Sequence, residues 1–288
     1  MSGEAHTTRD ELLARRGSHL FGRLRPGGVM VATVSTVVVF GAIGFIVVNA
    51  PGWERVQASF FDPVAFARAL PRLASSLWVN VQLFLLGELF ILAFALLLAV
   101  MRSLPGPIFF PFRLMAVSYI ELFRALPGVL VIFLLGLGVP GLRIPEVTND
   151  PFFWGLVALV LVWSAYVAEV YRAGIEGVHP SQEAAARSLG LSRLQALRFV
   201  VLPQAVRRVI PPLLNDFIGL QKDTALVSFI GVIEIFRRTQ IVAQGAFNFT
   251  PYLVCGLFFL VLTIPLSRLV DYLAMRDRRR QLAGLRAR

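Results

Sequence analysis

The stretch Gly177–Pro203, GVHPSQEAAARSLGLSRLQALRFVVLP, interrupts a chain that is otherwise built largely of apolar runs. Its residues spell two short helices with a hinge between them. Pro180 and Ser181 open the first, with Ser181 placed to cap it, and Gln182, Glu183 and the alanines that follow favour helix with a carboxylate near its positive end. Gly190 stops that helix, because glycine readily takes the left-handed conformation just past a helix end. Ser192 and Gln195 form a capping-box pattern that opens the second helix, and Pro203 ends or kinks it. The first helix is a rod of about 13 Å at 1.5 Å per residue. Its alanine face lets another surface approach closely, so it suits either a groove on a partner or a bed of lipid headgroups.

On either side of this loop the chain is strongly apolar. Of its 288 residues 57% are hydrophobic and only 16% charged, where an average soluble domain carries about 25% charged residues. Runs of about 20 apolar residues suffice to cross ~30 Å of hydrocarbon, and six are expected here: Val29–Val48, Leu77–Val100, Leu114–Val139, Phe152–Ala173, Ile210–Ile235 and Tyr252–Met275. The fifth is the most polar, holding Asn215, Asp216, Lys222 and Asp223. The expected fold is therefore an all-α integral membrane protein.

Arginine distribution orients it. With the amino terminus inside, nineteen arginines fall in cytoplasmic segments and six outside, namely Arg55, Arg68, Arg72, Arg143, Arg237 and Arg238, the bias that cytoplasmic loops carry. Both termini are expected in the cytoplasm. The implied layout is a basic tail over 1–28, a first span over 29–49, an external linker over 50–73, a membrane core over 74–275 with its cytoplasmic loop at 175–203, and a second basic tail over 276–288. The first run is longer than the apolar core of a signal peptide, which spans about 7–15 residues, so it is expected to be retained. The formal charge of +11 reads as topology and not as nucleic-acid binding.

The sole lysine, Lys222, follows Gln221 and precedes Asp223, which rules out a phosphate-binding P-loop. The one cysteine, Cys255, lies in an apolar run, and His6, His19 and His179 are scattered, so no metal site or cofactor is expected. Ionisable groups at membrane depth cost about 2.5–3.5 kcal/mol each on insertion scales and usually face a cavity or a partner. Glu121 and Arg124 stand three apart, as do Glu169 and Arg172, while Lys222, Asp223 and Thr224 follow the broken stretch at Pro211–Pro212. These groups are candidates for a translocation path or gate. Structural ion pairs bracing helices are the alternative, above all for Glu169 and Arg172.

Glu183, Ala184, Ala185, Gly190 and Pro203 resemble the EAA motif of ABC-importer permeases. Tyr119–Pro127 (YIELFRALP), Ser164–Ile175 (SAYVAEVYRAGI) and Lys222–Gly231 (KDTALVSFIG) are similar to the polar amino acid permease branch. The likeness covers about Ala74 to Met275. It implies a type I ABC-importer permease-like core, with Val29–Val48 as an added N-terminal helix, since members of that branch often have five spans. Leu126 stands where the branch commonly has a small polar residue.

The resemblance implies a non-catalytic transport subunit of the bacterial inner membrane. Its expected partners are two ATP-binding cassette ATPase subunits, a second permease chain (a copy or a relative), an extracytoplasmic substrate-binding protein, a polar amino acid and membrane lipid. An ion-coupled secondary transporter or a non-transporting membrane scaffold would be the alternatives.

Overall fold

In hydrocarbon, backbone polar groups have no water to bond and must be satisfied within the segment, which favours helix. The computed structural model, which describes residues 26–286, meets that demand with helices throughout and no strand among the described residues. The chain divides into two units at Ala58. The basic tail up to residue 25 lies outside the described residues, as do the last two positions.

In the first unit, α1 (Pro26–Val48) is apolar around its whole circumference. Its three hydroxyls turn back onto its own carbonyls: Thr33 and Thr36 donate to Val29 and Ala32 at 2.9 and 2.7 Å, and Ser35 to Ala32 at 3.0 Å. No hydroxyl is left to face lipid. A turn through Gly52 leads into α2 (Trp53–Phe60).

The second unit starts at Ser59, and its first long helix is α3 (Pro63–Ser103), whose 41 residues reach about 60 Å. Asp62 caps it by accepting from the Val64 and Ala65 N–H groups at 2.8 and 3.2 Å, and Pro63 occupies the first turn, where its missing N–H costs nothing. The segment expected as a linker over 50–73 is thus largely helical. Next come α4 (Phe110–Ala125) and α5 (Gly128–Phe133), the latter prolonged by a π turn over Leu134–Gly138. The pair bends by 102° at the Leu126–Pro127 break. Proline disfavours helical geometry in the residue before it, and Leu126 is extended, so the expected run Leu114–Val139 is a broken one. Asp150 caps α6 (Pro151–Glu176).

The polar loop folds as α7 (Pro180–Ser188) and α8 (Arg193–Ala196), then a π turn over Leu197–Val201 that runs into α9 (Leu202–Asp223). A 3-10 turn over Thr224–Ile230 ends at left-handed Gly231, and Glu234 caps α10 (Ile235–Ala246) before α11 (Thr250–Arg286). Among the described residues four helical stretches are long and apolar enough to cross a membrane, Gly28–Val48, Trp53–Ser103, Pro151–Glu176 and Thr250–Arg276, and the bent α4–α5 pair makes up to five. The fifth expected segment, Ile210–Ile235, takes another form. It is helical to Asp223, tightens into the 3-10 turn and stops at Gly231, and its polar residues keep α9 from qualifying on apolarity.

The core lies where α3 packs along α6, with α9 packed against both. Leu83, Ile91, Ile120, Ile132, Leu159, Leu220 and Val227 are its large buried members. Lipid tails are as apolar as leucine, so such helices gain by close contact and not by escaping solvent. At the α6–α9 seam a Cβ on Gly174 would sit 2.1 Å from Val209 Cγ1, and one on Gly219 would sit 2.2 Å from the Trp163 ring. The Tyr119 hydroxyl, donating to the Leu161 carbonyl at 2.7 Å, ties α4 to α6.

Candidate functional site

Val178, Val201 and Ala205 form a small buried cluster at the base of the polar loop. The Arg208 guanidinium donates to the Gly177 carbonyl above it. From this footing α7 projects. Its N-cap is His179 and not Ser181: the imidazole Nδ1 accepts from the Ser181 N–H at 3.2 Å and meets the Ser181 hydroxyl at 2.7 Å. Pro180 takes the first helical position, which puts the cap at His179, two residues earlier than Ser181.

Gly190 adopts φ +87°. The Gly190 N–H donates to the Arg187 carbonyl at 3.0 Å and the Leu191 N–H to the Ala186 carbonyl at 3.3 Å, the paired bonds of a Schellman end. Ser192 and Gln195 make the reciprocal capping box, at 2.8 and 3.3 Å. Pro203 does not stop the second helix. Ahead of it the helix widens into a π turn, in which the Leu202 N–H reaches the Leu197 carbonyl, and Pro203 sits in the first turn of α9, where no N–H is required. Both ends of α7 are thus pinned locally. Glu183 is half-buried in its first turn, Ala186 is buried, and Ala184 and Ala185 are exposed. Beside them Leu189 is 82% and Leu194 73% exposed.

Where α6 descends into this loop, Glu169 bonds two arginines. Arg102, at the end of α3, reaches Oε2 at 3.0 Å and Arg172 reaches Oε1 through Nε at 2.9 Å, while Arg172 also contacts Glu176. The Glu169–Arg172 pair is brought together, and Arg102 joins it from another helix. Glu121 and Arg124 are both exposed and share no ion pair among the described residues. The Arg124 guanidinium instead lies 5.8 Å above the Tyr166 ring.

The three neighbours after Gln221 part company. Lys222 is exposed, Asp223 half-buried, and Thr224 fully buried. Thr224 belongs to a network centred on Asn80, whose amide donates to Thr224 Oγ1 at 3.1 Å and to Glu234 Oε2 at 2.9 Å while its Oδ1 accepts from the Ile235 N–H at 3.1 Å. Glu234 accepts in addition from the Phe236 and Arg237 N–H groups. Asn80 and Glu234 were not singled out from the sequence. The available signal was an asparagine inside an apolar run, which lipid penalises unless it is bonded. Two more carboxylates at membrane depth, Glu88 on α3 and Asp216 on α9, each hold one shielded oxygen without a hydrogen-bond partner. No group of three or more His, Cys, Asp or Glu among the described residues is placed to hold a metal.

A sequence profile of the binding-protein-dependent transport system inner membrane component family matches residues 91–279. The probable glutamine ABC transporter permease protein GlnM of Bacillus subtilis (strain 168) is 39% identical over 62% of this chain and 80% of its own length. The glutamine transport system permease protein GlnP of Escherichia coli (strain K12) is 31% identical over 75% of this chain and 97% of its own. Among solved structures, the crystal structure of an amino acid ABC transporter with histidines superposes with a TM-score of 0.68 at 33% identity, over 76% of this chain and 98% of that one.

Proposed function

The chain belongs to the family of binding-protein-dependent transport system inner membrane components, and from that premise we propose that it passes a polar amino acid across the membrane while α7 seats on a separate ATPase subunit. It is the membrane-spanning permease subunit of an ATP-driven importer. The observation that carries the coupling role is the build of α7, a short rod capped at both ends, anchored at its base and presenting Ala184, Ala185 and Leu189 outward. ATP-driven closure of two ATPase subunits would draw two such rods together. One loop per chain implies a second permease chain, a copy or a relative.

Movement of the rod has a stiff route inward. Glu169, held between Arg102 and Arg172, braces α3 against α6 at the loop end of the bundle, so a displaced α7 carries both helices. A cavity shared with the second permease chain would then open and close by re-aiming packed helices, the usual form of alternating access. Lys222, Asp223 and Thr224 lie where α9 gives way to the 3-10 turn, a fit place for a gate, with Glu121 and Arg124 as further path candidates. The unpartnered oxygens of Glu88 and Asp216 offer acceptors for the ammonium group of an amino acid.

The test is reconstitution of this chain with its ATPase and an extracytoplasmic binding protein in liposomes, followed by a panel of labelled amino acids. ATP-dependent, binding-protein-dependent uptake of a polar amino acid is expected. Uptake that needs no ATPase and follows a proton or sodium gradient would overturn the reading in favour of a secondary transporter.

A further inference from the structure

Arginines outside the membrane run against the bias that orients such proteins, and three of the six assigned to that side meet in one place. Arg68 and Arg72 from α3 and Arg238 from α10 line an open cavity of about 710 Å³. Arg68 and Arg72 are exposed and one helical turn apart, and Arg238 is steadied by a bond from Nε to Ser76 Oγ at 3.1 Å. None of the three forms an ion pair among the described residues. The one acid in the lining, Asp62, is already engaged. Its Oδ1 caps α3 by accepting from Val64 and Ala65, and its Oδ2 accepts from the Asn248 amide at 3.3 Å.

The cavity stands at the face away from the coupling loop. Arg72 precedes Arg102 by 30 residues on the single helix α3, or about 45 Å at 1.5 Å per residue, and Arg102 is bonded to Glu169 at the loop end. That separation matches the ~40–45 Å of a bilayer with its headgroups.

We propose that this cavity is a docking point for surface carboxylates of the extracytoplasmic binding protein, with Arg68 and Arg72 steering its approach. The inference rests on the importer reading and on the inside placement of the termini. Three unpaired positive charges in an open mouth suit acidic side chains on a protein surface, because charges at a rim set the association rate and its salt dependence. A free amino acid fits poorly: its ammonium group would need an acceptor, and Asp62 is occupied. Basic clusters that bind anionic lipid belong characteristically to the cytoplasmic face, and this one is on the other.

The experiment uses the assembled complex in nanodiscs of phosphatidylcholine, with and without phosphatidylglycerol, titrated with a purified, substrate-loaded binding protein that stimulates the wild-type complex. The readout is the half-saturating concentration for stimulated ATP hydrolysis at low and high salt. The double variant Arg68→Gln, Arg72→Gln should need about tenfold more binding protein at low salt, with a flattened salt dependence and unchanged basal hydrolysis. In a second arm, Arg72→Glu should be rescued by lysine in place of an acidic residue on the binding protein. Unchanged half-saturation and salt dependence in the double variant would overturn the proposal, as would a shift confined to discs with phosphatidylglycerol, which would assign the cavity to lipid headgroups. A wild-type complex that no binding protein stimulates would instead sink the importer reading, and this inference with it.

Discussion

Gly190 is a residue whose requirement is local and complete. Its φ of +87° is left-handed, and a Cβ added there would meet nothing within 4 Å, so a substitution is opposed by the backbone alone. Gly190→Val should incur about 1–2 kcal/mol, increased by branching at Cβ, and should tilt α7 out of its seat. Uptake and substrate-stimulated ATP hydrolysis should fall together while membrane abundance, read by immunoblot, stays near normal. Full hydrolysis and uptake in the variant would show that the loop is not the coupling element. Gly190 was legible in the sequence because the rule behind it involves a single residue. His179 was not, because imidazole is seldom the cap when a serine stands two positions on. Lys222 and Thr224 looked alike as near neighbours, yet one is exposed and the other buried. Lys222→Ala should reduce uptake more than it reduces co-purification with the ATPase. Normal transport by a correctly assembled Lys222→Ala complex would return this lysine to a structural role.

At the scale of elements, Asn80 joins α3 to the turn before α10 and to the end of α9 by three bonds. Asn80→Leu keeps the branched shape and removes all three bonds: the Ile235 N–H loses its partner in a buried site, at about 1–3 kcal/mol, while Thr224 and Glu234 each lose one bond and keep others. The purified complex should therefore melt at a clearly lower temperature in a thermal-shift measurement. An unaltered melting curve would mean that the network contributes nothing to holding these elements together. The start of α8 was readable from the Ser192–Gln195 box, because caps are short-range, whereas Asp62 and Asp150 emerged as caps only in the structure. The 102° bend at Leu126–Pro127 was not anticipated even though Pro127 is plain in the sequence. Apolar length measures how much lipid a segment can tolerate and says nothing of its direction.

For the whole molecule, the nineteen-to-six arginine split predicts that both termini lie in the cytoplasm. Reporter fusions at each end should give cytoplasmic signals, and an external signal from either would contradict this topology. The helical class, the apolar stretches, the polar loop and its family likeness were all determined by the sequence itself, since each depends on neighbours within a turn or two or on the hydrocarbon around the chain. Which polar groups meet was decided only in three dimensions. Asn80 finds Glu234 across 154 residues and Arg102 finds Glu169 across 67, while Arg68 and Arg72 share a cavity with Arg238. Those meetings depend on how each helix is rotated about its axis. Where lipid is as apolar as the core, hydropathy does not set that rotation, and close packing such as Gly174 on Val209 does.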